Sequence, residues 1–243
     1  MPVLTVGNTS IPYEVRYSTK ARRKRIVVTP GSVEVVAPQG TAWEGSDGLL
    51  AFLESKRRWL FDAVREIEAK HRKLLTQRYA SGAKLQYRGR WLMLDVQPGN
   101  VEQVEIACRS KLHVVVPAEL EGAEKLEAIQ AAFDAWLRER ALRDLVRFGR
   151  RHEFNLGIQA HGFQLSDAKN HWGSCGQDQI IRVHWRLIQS PAAAMDYVVA
   201  HEVAHLLHRN HSAEFWATLG RTMPDWPERK IMLEAWEQDH RAV

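Results

Sequence analysis

Apolar and polar residues alternate from the start of the chain, at Ile11, Tyr13, Val15 and Tyr17 and again at Val33 and Val35. A period of two sends every second side chain to one face, which predicts half-buried strands over residues 1–40. Pro30-Gly31 predicts a turn between strands at 25–29 and 32–37. From Ser46 the period lengthens. Leu49, Phe52, Leu53, Leu60, Val64 and Ile67 recur at helical spacing and predict one long helix to about Arg78. Strand spacing returns at 83–87 and 91–96 around Arg88-Gly89-Arg90, a hairpin signal, and at 101–107 and 111–116, closed by Pro117.

The stretch 118–123, with Glu119, Glu121 and Gly122, reads as a hinge. Beyond it Leu126, Ile129, Phe133, Trp136, Leu137, Leu145 and Val146 form the buried stripe of a helix from Glu124 to about Arg151. Two strands follow at 162–168 and 180–187, joined by a loop at 169–179 that holds Trp172-Gly173-Ser174-Cys175. Ser190 and Pro191 predict the cap and first turn of a helix that runs to about Arg209. Ser212 predicts the cap of another, with Phe215 and Trp216. Pro224 to Pro227 breaks the chain before a last helix with Ile231, Leu233, Glu234 and Trp236. The expected fold class is α+β. A β-rich N-terminal lobe with one long helix (1–122) precedes a mainly helical lobe (123–243) that carries a short antiparallel sheet beside its histidine-bearing helix.

That helix holds His201-Glu202-Val203-Ala204-His205, continued by His208 and His211. Residues four apart stand on one face of a helix. Two imidazoles so placed can hold one Zn²⁺, at about 2.0–2.1 Å from each nitrogen. Glu202 projects from the adjoining side, where its carboxylate can reach an attacking water without binding the metal. A catalytic zinc needs a third protein ligand and one open position. His208 shares the face of His201 but lies seven residues on, about 10.5 Å along a straight helix. His211 can return to the pair only if the helix stops first. Asn210 is the expected stop, because Asn tolerates the left-handed conformation at a helix end. His211 is therefore the expected third ligand, with Glu228 or Glu234 as the alternative. Tyr197, His184, His208 and Arg186 are candidate donors to a developing oxyanion.

Composition narrows the classes. The 243 residues are 45% hydrophobic and 26% charged, ordinary values for a globular protein. No apolar run approaches the ~20 residues of a membrane helix. Two cysteines, Cys108 and Cys175, make no disulfide framework. With no basic-then-apolar signal at the N-terminus, these features predict a cytoplasmic protein. The net charge of +5 is uneven: residues 1–123 hold 19 Lys and Arg against 13 Asp and Glu, and residues 124–243 hold 15 against 16. The run Lys20, Arg22, Arg23, Lys24, Arg25 and the ridge Arg140, Arg143, Arg147, Arg150 could meet nucleic acid. Both are also what solvated charged faces look like. The oligomeric state has no signature in the sequence.

The spacing H-E-x-x-H-x-x-x-x-x-H equals that of the metzincin proteases, but His208 stands where they carry Gly. A wider set of residues points elsewhere. Trp172-Gly173-Ser174-Cys175, the stretch 180–188, Pro191, Asp196 to Glu202, Asn210-His211-Ser212 and Phe215-Trp216 resemble the YgjP-like metallopeptidases, relatives of the SprT-like and Wss-type zinc proteases. The resemblance takes in the basic segment near residue 22 and the 82–96 region, with His184 where such sequences carry Asn. It implies a zincin-like second lobe, one Zn²⁺ per chain and a protein or peptide substrate, and it allows nucleic acid as a partner through the basic N-terminal half. The leading expectation is thus a zinc peptidase with His201, His205 and His211 as ligands and Glu202 as general base. Two alternatives stand beside it: a metal-dependent hydrolase of nucleotides or another phosphorylated substrate, and a nucleic-acid-binding protein with a structural zinc.

Overall fold

A computed structural model describes residues 2–240. The fold is α+β and falls into two compact units, Met1–Gln77 and Arg78–Val243. In the first, β1 (Val3–Val6) and β2 (Thr9–Pro12) form an antiparallel pair. Then β3 (Glu14–Ser18), β4 (Arg25–Thr29) and β5 (Ser32–Pro38) form a sheet of order β3-β5-β4, with β3 parallel and β4 antiparallel to β5. The alternating residues face one way, as their spacing requires. Leu4, Ile11, Tyr13, Val33, Val35 and Ala37 pack with Leu49, Leu53 and Leu60 of α1 (Leu49–Arg78). The Ser46 start is corrected to Leu49, whose amide bonds the carbonyl of Ala42 at 2.9 Å.

The second unit starts with β6 (Lys84–Tyr87), β7 (Arg90–Gly99), β8 (Glu105–Cys108) and β9 (Leu112–Pro117), in the order β6-β7-β9-β8. The β6–β7 hairpin turns through Arg88 and Gly89, both at positive φ, as a two-residue hairpin turn of the primed type requires. Its tip docks on the segment before the histidine helix. Arg88 N–H donates to Ile188 O at 2.8 Å and Gly89 N–H to Gln189 O at 3.0 Å. A Cβ at Gly89 would lie 2.9 Å from Pro191 Cα, so this approach needs glycine. Arg88 also pairs with the buried Asp144 at 2.6 Å. These contacts anchor the 84–117 sheet to the histidine-bearing part of the same unit.

Helix α2 (Gly122–Leu156) runs past its expected end and stops at Gly157, left-handed at φ 67°. It buries the predicted Ile129, Phe133, Trp136, Leu137 and Leu145; Leu126 is only half-buried, and Val146, expected in the same stripe, is corrected to an exposed position. Behind it lie β10 (Gly162–Ser166), β11 (Gly173–Cys175) and β12 (Ile180–His184), in the order β10-β12-β11. The expected antiparallel pairing of the 162–168 and 180–187 strands is corrected here. β10 and β12 are parallel, and the antiparallel partner of β12 is β11, three residues from the presumed loop. Residues Trp185–Gln189 form a 3-10 turn instead of prolonging the strand. The molecule then continues through α3 (Ala192–Ala204), α4 (Ala213–Thr222) and α5 (Trp226–His240).

Candidate metal centre

Helix α3 carries the H-E-x-x-H stretch in its last turn. It is nearly all buried, from Ala194 to Ala200 and again at Glu202, Val203 and Ala204, so its histidines lie in a largely apolar setting. Pro191, not Ser190, occupies the cap position; the Ser190 hydroxyl instead donates to Leu187 O at 2.7 Å. The helix ends at Ala204, earlier than the expected Arg209. Leu206 N–H and Leu207 N–H reach the carbonyls of Val203 and Ala204, three residues back, which tightens the chain and turns it. Asn210 is not left-handed, so it is not the stop. This early turn has the consequence expected of a later one: it sends His211 back to the helix. Ser212 sits at the cap position of α4 without a side-chain cap bond.

The ring nitrogens converge. His201 Nε2 is 3.2 Å from His205 Nε2 and 2.9 Å from His211 Nε2, and the three ligand atoms lie within 4.8 Å of one another. Ligands about 2.0–2.1 Å from a tetrahedral ion stand about 3.3 Å apart, and the two distances to His201 Nε2 are close to that. Burial holds His201 down to about 3, with the His205 and His211 rings adding to it, and burial lowers His205 as well. Rings kept neutral leave lone pairs free for a metal. His205 Nδ1 bonds the His208 carbonyl at 2.8 Å, which fixes the ring's tautomer and turns Nε2 towards the cluster. His201 Nδ1 is buried without a hydrogen-bond partner among the described residues. Phe215, fully buried, lies against all three rings at centroid distances of 4.6–4.9 Å, and Trp216 stacks on His211.

Glu202 lies against Gly173 of β11 and is 7% exposed. Burial pushes its carboxyl up to about 8. A cation on the adjacent histidines would favour the carboxylate and bring that value down. Among the described residues, the one group of histidine, cysteine or carboxylate side chains able to hold a metal is His201, His205 and His211. Glu234 pairs instead with Lys230 at 3.6 Å, and Glu228 lies outside the group. His208 Nε2 bonds Thr218 Oγ1 at 3.0 Å, so its ring serves the surroundings while its carbonyl orients His205. His184 accepts from Arg186 N–H at 3.2 Å, and Arg186 lies over the Trp185 ring. Tyr197, one turn before His201, packs edge-on against that histidine, and burial pushes its hydroxyl up to about 12.

Two parts of this site have no signal in the sequence. One is the contact of Gly173 with Glu202. The other is the buried network behind α3, where Asp196 meets His152 at 2.9 Å, Arg151 at 2.5 Å and Arg229 at 2.6 Å. The basic ridge of α2 is largely matched by carboxylates on the same helix. Arg143 meets Glu139 at 2.5 Å, Arg147 meets Asp144 at 3.2 Å and Arg150 meets Glu153 at 2.9 Å. In the basic N-terminal run Lys24 pairs with Asp47 at 2.6 Å, while Arg22 and Arg23 are exposed.

The H-E-x-x-H helix and the third histidine to which the chain turns back form one group able to hold a metal. Residues 22–235 match the YgjP-like metallopeptidase domain, and the chain belongs to that family. A solved structure, the metallopeptidase zymogen abylysin of Pyrococcus abyssi, is similar at 18% identity with a TM-score of 0.35, over 39% of this chain and 93% of that one. Comparison with curated proteins gives no match. Among the described residues, no helix is long and apolar enough to cross a membrane.

Proposed function

We propose that this metallopeptidase uses one zinc ion, held by His201, His205 and His211, with Glu202 as general base. The observation that carries the reading is the convergence of three Nε2 atoms at the end of the helix that also carries the buried Glu202 carboxyl, one residue from His201. When bound, zinc supplies Lewis acidity, making a water nucleophilic near neutral pH and polarising a carbonyl. Neutral imidazoles suit zinc, and the exposed side of His211 leaves the centre open to a substrate. Glu202 takes a proton from the attacking water at a carboxylate oxygen and returns it to the nitrogen of the leaving amine. Tyr197 is the donor to the developing oxyanion. Of the four candidates it alone packs on a metal-face histidine, and its raised value keeps the O–H protonated.

The substrate main chain would pair with the free edge of β11. The His184 N–H bonds Trp172 O at 2.7 Å, so hydrogen bonds to β12 fall on Trp172 and Ser174. By the alternation of an antiparallel ladder, the peptide groups of Gly173 and Cys175 then face outward. Arg209 takes the Cys175 carbonyl at 3.0 Å, which leaves Gly173 as the open position. Such pairing reads backbone more than side chain, as expected of an enzyme acting on unfolded segments.

The test is cleavage of an unfolded protein by zinc-loaded wild type and Glu202→Gln, with and without single-stranded DNA. The variant should retain its zinc and lose at least about 100-fold in kcat. Full activity in Glu202→Gln would remove the general-base assignment. Stimulation by DNA would give the exposed Arg22 and Arg23 a role.

A further inference from the structure

We propose that Gly173 is a positioning residue for the general base: its missing side chain is the slot in which the Glu202 carboxylate lies. The proposal rests on the reading of Glu202 given above. A Cβ built on Gly173 would stand 2.6 Å from Glu202 Oε1, 2.7 Å from Cγ and 2.9 Å from Cδ. These three atoms are its nearest neighbours, and all belong to one side chain. No backbone atom shares the slot at that range, so the carboxylate arm is what an added methyl would displace.

The strand has little freedom to retreat instead. β11 pairs with β12 along its length. On one side of Gly173 the Trp172 indole N–H donates to Glu237, and the Trp172 ring packs on Trp236 at 5.4 Å and on His184 at 5.4 Å. On the other side Arg209 Nη1 donates to Cys175 O at 3.0 Å and to Gly176 O at 2.8 Å. The strand is therefore held from α5 at one end and from the turn after α3 at the other. Glu202 in turn is buried, on a helix whose residues from Ala194 to Ala200 and at Val203 and Ala204 are buried with it. Gly173 has an ordinary negative-φ strand backbone, unlike Gly89, so alanine there costs nothing in backbone conformation. An effect of Gly173→Ala would come from the side-chain contact.

Two measurements on the full, zinc-loaded chain test this. A crystal structure of Gly173→Ala should show the Glu202 carboxylate displaced from its wild-type place with β11 still paired to β12. In peptide cleavage Gly173→Ala should lower kcat about 100-fold, as a displacement of about 1 Å in a reacting group does, with KM within about twofold and zinc content unchanged. In a Glu202→Asp background, where the side chain is shorter by one methylene, the same alanine should cost less than about threefold, because the two positions are coupled through one contact. An unmoved carboxylate, or equal losses in both backgrounds, would overturn the proposal. If wild type cleaves no peptide, the peptidase reading fails separately, and the position of the carboxylate in Gly173→Ala still decides this one.

Discussion

Glu202 is a carboxyl group at 7% exposure, pushed up from 4.5 to about 8 by burial. That has a consequence for the metal-free protein. A carboxyl whose folded value is raised contributes its full stability below the unfolded value. It loses that stability as pH rises through the folded one. Between about pH 4.5 and 8, metal-free wild type should therefore weaken relative to metal-free Glu202→Gln, by on the order of 4 kcal/mol at the top of the window. Chemical denaturation at pH 4 and pH 8 measures it, and equal gaps at both would contradict the buried, unpaired setting of the group. Tyr197 carries the second residue-level expectation. Tyr197→Phe removes one hydroxyl and no ligand, so kcat should fall about 100-fold with zinc affinity retained. A loss confined to zinc binding would instead mark the ring's packing on His201 as its contribution.

Helix α3 is held in place by its buried polar side as well as by its apolar one. Asp196 lies 3% exposed between His152 and Arg151 of α2 and Arg229 of α5. Burial pushes the Asp196 carboxyl up, but the bond to His152 and the charge of Arg151 outweigh it and hold the carboxyl below 3.8. The sign is opposite to that of Glu202: this stability is present above the unfolded value and is lost as pH falls through the lower folded one. Asp196→Ala strands the buried His152 imidazole and takes one partner from Arg229, which keeps Asp225, and from the half-exposed Arg151, so it should cost about 3 kcal/mol. Asp196→Asn should remove the acid-labile part of the unfolding curve below about pH 4. Thermal melts at pH 7 and pH 3 separate these effects. The same packing explains why α3 could be read from the sequence as a helix but not delimited. Its apolar residues continue through Leu206 and Leu207, and what ends it is a pair of tight backbone turns answered by the bond from His205 to the His208 carbonyl.

Arg78–Val243 brings together two sheets, α2 and the three helices that follow, and its buried side chains run from Tyr79 to Trp236. The histidines lie at the edge of that core, which touches them through Phe215 and is otherwise assembled by apolar contacts among other residues. Chelation should therefore abolish cleavage, and zinc should restore it, while the metal-free protein still unfolds cooperatively at a lower Tm. The drop in Tm should follow the zinc concentration, as linkage requires of a ligand that binds only the folded state. Loss of the cooperative transition on chelation would favour a structural metal in place of a catalytic one. The paired state of the α2 ridge bears on partners in the same way. Arginines already matched by Glu139, Asp144 and Glu153 release little from a nucleic acid, so a weak salt dependence is expected of that face.

The positions of His201 and His205 on one face, and of Glu202 on the next, follow from helical geometry, so sequence alone settled them. So did the core-facing residues of β5, α1 and α2, since period and burial are linked by local geometry. The hairpin at Arg88-Gly89 was legible for the same reason. Contacts set by distant parts of the chain were not. Three residues at Gly173–Cys175 have neither the length nor the β-branched side chains that mark a strand, and they are one only because β12 offers them an edge. The slot that Gly173 leaves for Glu202, the meeting of Asp196 with Arg229, and the docking of the hairpin on Pro191 each join residues tens of positions apart. Periodicity reports which face of an element is buried, and only packing in three dimensions decides what that face is buried against.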